Sequence, residues 1–198
     1  TWYDQSGNGV NVTQTTANNQ PQIVSGGSVL LVNGKPAILS VNNSGTTNCL
    51  RNSSFTTYTP LSDFYAFKYN SFISGTPYQT AYDGGAAETQ RGYFGYEQSS
   101  NKMITYEGIV LQGYTATLSQ TLATNIRNGA ISQMYKNNAL QITGNAGINN
   151  TIIGLTFGCD YVPTSAGNVY HQEFIRYSGV SSNISSINTN INTYYGIY

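Results

Sequence analysis

Short runs of strand-forming residues, separated by turn-forming residues, recur along almost the whole chain. Before about the last twenty residues, no stretch places apolar residues at the 3.6-residue period of an amphipathic helix. The pattern therefore predicts an all-β fold in which two antiparallel sheets pack as a jelly-roll sandwich. The predicted strands are 22–24, 28–32, 36–41, 63–69, 92–96, 103–111, 115–122, 130–136, 151–157 and 170–177.

Residues that tolerate a positive φ angle stand between the predicted strands. Asn33 and Gly34 form the strongest pair of this kind, because Asn-Gly is a preferred two-residue turn in β-hairpins. Further turns are predicted at 6–9, 83–85 and 136–138. These turns divide the chain into strands joined by tight connections, as an antiparallel sandwich requires.

One short amphipathic helix is predicted near the C-terminus. Ile184, Ile187 and Ile191 follow the spacing i, i+3 and i+7, which places them on one face of a helix. Ser181 and Ser182 precede them as candidate N-caps. We expect this helix to pack against the sandwich rather than to bind a ligand.

The composition indicates a single domain, residues 1–198, with an uncharged surface. Only 8% of the residues are charged, against about 25% in ordinary soluble domains. Eight Lys and Arg residues balance eight Asp and Glu residues without a basic cluster, so nucleic acid is not an expected partner. No apolar run reaches about 18 residues, so we expect no membrane insertion.

The two cysteines, Cys49 and Cys159, allow either a disulfide between distant strands or two buried thiols. The sequence does not decide between these alternatives, because the distance between the two residues decides it. With His171 as the single histidine, the cysteines do not supply four zinc ligands. No cofactor is therefore predicted.

Several segments at both ends of the chain together resemble a known family. They are WYDQSGNG at 2–9, QPQIV at 20–24, NGKPA at 33–37, YHQEFIRY at 170–177 and YYGIY at 194–198. These segments resemble the concanavalin A-like (laminin-G/lectin-type) jelly-roll domains, including the β-sandwich domain of arabinofuranosidase B enzymes and surface or phage-fibre proteins. Members of that family usually carry further sequence ahead of the first motif. The resemblance thus implies one sandwich domain without the N-terminal strand or strands of its relatives. Three explanations stay open: the strand is cleaved off, it belongs to a longer polypeptide, or another molecule fills its position, and we expect the sheet edge to be completed from outside this chain.

The resemblance also implies positions at which a glycosidase would carry its carboxylates. A catalytic acid would lie near Asp160, and the strand expected to hold the nucleophile is 92–96, which contains no carboxylate. Glu88 and Glu173 are the remaining candidates for the second carboxylate. A non-catalytic role is therefore expected, and a turn-capping role is expected for Asp160.

The first motif carries the predicted structural residues. Trp2 and Tyr3 are expected in a core strand, because their large rings need a buried position. Asp4, Gly7 and Gly9 are expected to form the turn that follows. Calcium is possible at Asp4, but stabilisation of the turn by its side chain is the commoner reason for such a sequence.

Tyrosines supply the predicted ligand-binding surface, and the chain contains 17 of them. A tyrosine ring stacks on the apolar face of a sugar, while amide groups bind its hydroxyls. The alternative is that these rings pack across the sheet. The candidates for glycan binding are Tyr65, Tyr78, Tyr82, Tyr93 and Tyr96.

The sequence thus predicts a non-catalytic, extracellular, cell-surface or virion-surface module for glycan binding and adhesion. Its predicted partners are glycans or host-surface polysaccharide, together with further copies of itself in a fibre or other surface assembly. Two alternatives stay open at this point: a purely structural subunit of a fibre, capsid decoration or filament, and a glycoside hydrolase of the arabinofuranosidase type.

Overall fold

Most of the backbone is extended, in keeping with a sequence rich in Tyr, Thr, Val and Ile, which fit the pleated surface of a sheet. The structure, a computed structural model, describes residues 1–43, 46–84, 87–148, 151–162 and 165–198. In chain order, its strands are β1 (Val24–Ser25), β2 (Ser28–Val29), β3 (Leu31–Val32), β4 (Lys35–Pro36), β5 (Ile38–Ser40), β6 (Asn42–Asn43), β7 (Thr46–Thr47), β8 (Leu50–Tyr58), β9 (Leu61–Ser71), β10 (Tyr78–Asp83), β11 (Tyr93–Glu97), β12 (Lys102–Tyr106), β13 (Val110–Thr115), β14 (Thr121–Arg127), β15 (Ser132–Lys136), β16 (Ala139–Gly144), β17 (Thr151–Phe157) and β18 (Asn168–Ser178).

The longer strands form two six-stranded antiparallel sheets. The strand order is β13-β12-β11-β10-β17-β8 in the first sheet and β16-β15-β14-β9-β18-β5 in the second sheet. The longest ladder joins β9 to β18, from Asn168 opposite Ser71 to Ser178 opposite Leu61. The predicted all-β, two-sheet sandwich is confirmed.

An aromatic core fills the space between the two sheets. From the second sheet, the rings of Tyr65 and Phe67 stack with centroids 4.7 Å apart. From the first sheet, Tyr82 meets Tyr65 edge-on at 5.4 Å, and Phe94 meets Phe67 edge-on at 5.6 Å. Each fully buried large side chain contributes about 1.5–3 kcal/mol, so these rings hold the sheets together.

The predicted C-terminal helix is confirmed as α1 (Ile184–Tyr195) and lies on the outer face of the second sheet. Ile191 packs there against Phe64 and Leu122. Because β14 faces the core on one side and α1 on the other, all seven of its residues are buried. Within the described ranges, no helix has both the length and the apolar character needed to cross a membrane.

The predicted N-caps of this helix are wrong. Asn183 occupies the N-cap position, and its side chain makes no capping hydrogen bond. Ser181 lies two residues before it, and its hydroxyl accepts a hydrogen bond from the backbone N–H of Asn183 at 3.2 Å. Ser182, like Ser181, precedes the helix without capping it.

Two predicted turns are confirmed by their backbone angles. Asn33 and Gly34 have φ angles of 50° and 73° and connect β3 to β4. Asn137 and Asn138 have φ angles of 51° and 66° and connect β15 to β16. Positive φ at both central positions is the turn that matches the twist of a hairpin. In the turn predicted at 83–85, Gly85 lies outside the described residues.

The predicted strand boundaries are correct for β17 and off by one or two residues for β5, β9, β11, β15 and β18, and the largest differences lie elsewhere. The segment predicted as one strand at 103–111 forms the end of β12, a connection and the start of β13. In the strand predicted at 115–122, residues 116–120 connect β13 to β14. The sequence pattern also missed β16, and it missed β8 and β10 because polar residues on both faces hide the alternation of apolar and polar residues.

The environment of the first aromatic pair differs from the prediction. Trp2 forms an isolated bridge with Val12, and its half-buried ring lies 4.9 Å from the ring of Phe157. Tyr3 is 65% exposed, so its predicted core position is wrong. Neighbouring residues of extended backbone point to opposite sides, and only one of the two rings can therefore reach the core.

The turn after this pair follows the prediction. Asp4 accepts hydrogen bonds from the backbone N–H groups of Ser6 at 2.8 Å and Val10 at 3.0 Å. The hydrogen bond from the side chain of Ser6 is the main reason that the pKa of Asp4 is lowered, and the backbone N–H groups of Ser6 and Val10 lower it further. Gly7 and Gly9 have φ angles of 85° and 73°, which few other residues adopt.

Cys49 and Cys159 form a disulfide, with their Cα atoms 5.8 Å apart. Both residues are buried. The bond joins the segment just before β8 to the loop that follows β17. The disulfide therefore fixes the start of that loop, two residues before Tyr161.

Candidate functional site

The outer face of the first sheet presents a group of polar and aromatic side chains. Tyr82 on β10 and Phe94 on β11 point into the core. Their strand neighbours Asp83 and Tyr93 therefore point to the opposite, outer face. Tyr106 on β12 is the register partner of Tyr93 and shares that face. Helix α1 packs on the second sheet and therefore does not cover this face of the first sheet.

Arg91 lies at the centre of this group. Its Nε donates to Oδ2 of Asp83 at 2.8 Å, and its Nη1 donates to Oε2 of Glu88 at 3.1 Å. A short 3₁₀ turn (Glu88–Gln90) brings Glu88 to the same side as Arg91. The second carboxylate oxygen of Asp83 accepts the backbone N–H of Gly84 at 2.8 Å. The guanidinium is thus fixed between a buried and an exposed carboxylate.

Tyrosine rings surround the guanidinium. Its central carbon lies 4.9 Å from the ring centroid of Tyr161, 5.1 Å from that of Tyr93 and 5.8 Å from that of Tyr106. These distances are within the range of cation–π attraction. Tyr161 and Tyr106 are partly exposed, whereas Tyr93 is buried beneath them. The arginine–tyrosine site, as named here, consists of Asp83, Glu88, Arg91, Tyr106 and Tyr161.

The two carboxyl groups of the site have pKa shifts in opposite directions. Burial raises the pKa of Asp83 to about 7, against the opposing charge of Arg91. Burial also raises the pKa of Glu88, but the hydrogen bond from Tyr161 and the charge of Arg91 outweigh it, so the net shift is downward. At neutral pH, Glu88 is consequently a fixed, ionised hydrogen-bond acceptor at the surface.

The loop that carries Tyr161 is anchored beside the disulfide. The hydroxyl of Thr156 donates to the backbone oxygen of Cys159 at 2.6 Å, and Nη2 of Arg51 donates to the backbone oxygen of Asp160 at 3.1 Å. The backbone N–H of Ser165 donates to Oδ1 of Asp160 at 3.3 Å. These contacts hold the backbone next to Tyr161, and Asp160 takes part as a turn-capping residue.

Gly95, next to the site on β11, leaves the outer face of the sheet without a side chain at that position. A β-carbon at Gly95 would collide with the hydroxyl of Tyr93 and would lie 2.5 Å from the backbone oxygen of Gln79. Beyond Gly95, Tyr78 is 42% exposed and meets Tyr93 edge-on at 6.5 Å. The outer face therefore continues from the site towards Tyr78 without a large side chain at Gly95.

Most of the tyrosines predicted to bind glycan are buried. Tyr65 and Tyr82 are completely buried, and Tyr93 and Tyr96 are 3% and 6% exposed. These four rings have no face free for a sugar, so the structure contradicts that role for them. These rings pack within the sandwich instead, which is the alternative that the sequence left open. Tyr78 alone among the five is well exposed.

The three acids considered for catalysis do not converge. Glu88 belongs to the arginine–tyrosine site, and Asp160 is close enough to raise the pKa of Asp83 slightly. Glu173 lies on β18 and interacts with Tyr195 of α1, on the outer side of the second sheet. It therefore lies on the other side of the sandwich from Glu88.

Sequence reasoning missed Asp83, Arg91, Tyr106 and Tyr161. One local signal was present, because Glu88 and Arg91 are three residues apart and carry opposite charges. No local signal links either residue to Tyr161, which belongs to a distant loop. Within the described ranges, no three His, Cys, Asp or Glu side chains form a group that could hold a metal ion.

Fold and site together define a jelly-roll β-sandwich with a polar, aromatic surface on one sheet. Its similarity to known proteins is one of structure, since no protein-family model and no curated protein sequence matches the chain. One similar solved structure is domain 4 of AbnA, a GH43 extracellular arabinanase from Geobacillus stearothermophilus, in complex with arabinotriose. The identity is 14%, each chain is covered to 82%, and the TM-score is 0.56.

Sialidase structures from Trypanosoma rangeli are also similar. A mutant displaying trans-sialidase activity matches with 9% identity and a TM-score of 0.54, over 79% of this chain and 30% of the sialidase. The complex with sialic acid matches with 10% identity and a TM-score of 0.53, over 87% of this chain and 36% of the sialidase. The chain thus spans only 23% to 36% of the sialidase chains. At such identities the likeness is one of fold.

Proposed function

We propose that this chain is a non-catalytic glycan-binding module and that its ligand binds at the arginine–tyrosine site. The observation that carries the proposal is the partly exposed pair of rings, Tyr106 and Tyr161, next to the fixed Glu88–Arg91 pair. Rings of this kind stack on the apolar faces of sugars, and fixed polar groups bind sugar hydroxyls. The complex of the similar AbnA domain with arabinotriose supports the same class of ligand.

Calorimetric titration with arabino-oligosaccharides and other neutral oligosaccharides tests this proposal. Tyr161→Ala removes a ring without touching the core, and we expect binding weaker by about tenfold, which corresponds to about 1.4 kcal/mol. Tyr177→Ala is the matched control, because Tyr177 is 45% exposed and contacts Phe64 on the second sheet. Equal binding by both variants would contradict the assignment of the site.

A glycoside hydrolase is the second candidate, because the pKa values of Asp83 and Glu88 are shifted apart, as in acid–base pairs. Against it, both carboxylates bind Arg91, and Asp83 is completely buried, so it cannot reach a substrate. We expect no hydrolysis of aryl arabinofuranosides. Hydrolysis that disappears in Asp160→Asn or Asp83→Asn would favour the enzyme.

We also propose that the module works outside the cell, on a cell or virion surface, as part of an assembly. The disulfide supports an oxidising compartment. Residues 5–34 contain no charged side chain, and four large apolar residues near the β1–β2 hairpin are about half exposed, which favours contact between copies. These four residues are Ile23, Val24, Val29 and Leu31.

Light scattering during size-exclusion chromatography tests the assembly. We expect oligomers whose population falls in Val24→Lys, because a charge would then oppose contact. A monomer at every protein concentration would contradict this part of the proposal. If oligomers form and no glycan binds, the chain is the purely structural subunit that the sequence left open.

A further inference from the structure

The charge that a ligand meets first at the arginine–tyrosine site is negative. The side chain of Glu88 is 53% exposed, whereas that of Arg91 is 14% exposed and that of Asp83 is completely buried. Glu88 is therefore the most exposed charged group of the site. An approaching ligand reaches the carboxylate before it reaches the positive charge.

Two nitrogens of the Arg91 guanidinium already bind carboxylates. Two of its three nitrogens donate to carboxylates, at 2.8 Å and 3.1 Å, and three tyrosine rings lie within 5.8 Å of its central carbon. A guanidinium recognises a carboxylate best through two parallel hydrogen bonds. Every pair of its nitrogens includes Nε or Nη1, so an acidic sugar would have to compete with Asp83 or Glu88 to obtain them.

Two further charged side chains, Asp160 and Arg51, lie near the site. The carboxylate of Asp160 is close enough to affect the pKa of Asp83. Arg51 lies nearby, but its Nη2 donates to the backbone oxygen of Asp160. Within the described ranges, the site thus offers an approaching ligand one well-exposed charge, that of Glu88.

We propose that this site selects uncharged glycans, whose adjacent hydroxyls donate hydrogen bonds to Glu88, and rejects glycans that carry carboxylates, such as sialic or uronic acids. This inference rests on the proposed function. A neutral polyol supplies the donors that an ionised carboxylate needs, whereas a second carboxylate supplies only acceptors and repels the first. The likeness in fold to sialidases therefore does not extend to acidic sugars as ligands.

The test compares ligands that differ mainly in charge. Calorimetric titrations use lactose against sialyllactose and galacto-oligosaccharides against oligogalacturonates of equal length. We expect at least one neutral ligand to bind about tenfold more tightly than its acidic counterpart at low salt, with a smaller ratio at high salt because an exposed charge is screened.

Two variants show whether Glu88 causes the selection. Glu88→Gln removes the charge but keeps one oxygen as an acceptor, so the ratio should fall towards one while the neutral ligand binds only a few-fold more weakly. Glu97→Gln is the control, because Glu97 carries the same charge but lies at the far end of β11, where its partners are Ser100 and Gln112. Glu97→Gln should leave the ratio unchanged.

The outcomes separate this inference from the proposed function. If an acidic ligand binds as tightly as its neutral counterpart or more tightly, the inference is wrong and glycan binding stands. A neutral preference that Glu88→Gln leaves intact also overturns the inference, because the selection then has another origin. If no ligand of either kind binds, the proposed function itself fails.

Discussion

Lowering the pH should test the buried environment of the single histidine directly. His171 is 1% exposed, its Nδ1 forms a hydrogen bond with the hydroxyl of Tyr65, and its Nε2 lies 2.9 Å from the hydroxyl of Ser40. Burial lowers the pKa of His171 from 6.5 to about 3. The imidazole is therefore expected to stay neutral in the folded protein at mildly acidic pH.

The size of the effect follows from linkage between protonation and folding. Below its ordinary pKa, the histidine takes up a proton in the unfolded chain but not in the folded protein. Stability is thus lost as the pH falls from 6.5 towards 3, and this histidine removes about 2 kcal/mol between about pH 7.5 and about pH 5.

Two buried carboxyl groups act in the opposite direction in the same pH range. Burial raises the pKa of Asp83 and of Glu107 to about 7. Each takes up its proton in the folded protein before it does so in the unfolded chain, so each adds stability as the pH falls. The total pH dependence therefore does not isolate His171.

The assay is urea unfolding of the wild type and of His171→Gln at several pH values. As the pH falls from about 7.5 to about 5, the free energy of unfolding of the wild type should fall by about 2 kcal/mol relative to that of His171→Gln. Tyr65→Phe is the control, because it keeps the imidazole and should keep the shift. Since the chain has one histidine, its imidazole signal in NMR spectra gives the pKa directly. Titration of that signal near pH 6.5 in the folded protein would refute the reasoning.

Three further predictions concern stability and are measured by chemical or thermal unfolding. Replacing Cys49 and Cys159 by Ser should cost about 2–5 kcal/mol, and a reductant should then have no further effect; full wild-type stability would show that the disulfide is dispensable. Trp2→Ala should cost about 1–3 kcal/mol, because the ring is only half-buried, whereas Tyr3→Ala should change little; equal losses would contradict the observed packing. Asp63→Asn should cost about 3–5 kcal/mol, because it leaves two arginine guanidiniums in the sandwich without their carboxylate, and a loss below about 1 kcal/mol would argue against that ion-pair network.

The buried tyrosines show the limit of the sequence argument at the site. A strand alternates its side chains between two faces, and a shift of one residue in register exchanges those faces. Tyr82 and Tyr93 both lie in strands, and the sequence does not show which face each ring occupies. The strand register places Tyr82 in the core and Tyr93 on the outer face, where other rings cover it. Tyr78 remains exposed because it lies at the start of its strand.

Local chemistry was enough to determine the class of the fold from the sequence. The spacing of strand-forming runs predicted the two-sheet sandwich, the Asn33–Gly34 pair predicted a hairpin, and the isoleucine spacing predicted α1. These features depend on residues close together in the chain. Tertiary structure alone decided the arginine–tyrosine site, because β10, β11, β12 and the loop after β17 meet only through sheet pairing. That pairing brings Tyr161 to Arg91 across about seventy residues of sequence, a distance at which no local pattern carries information.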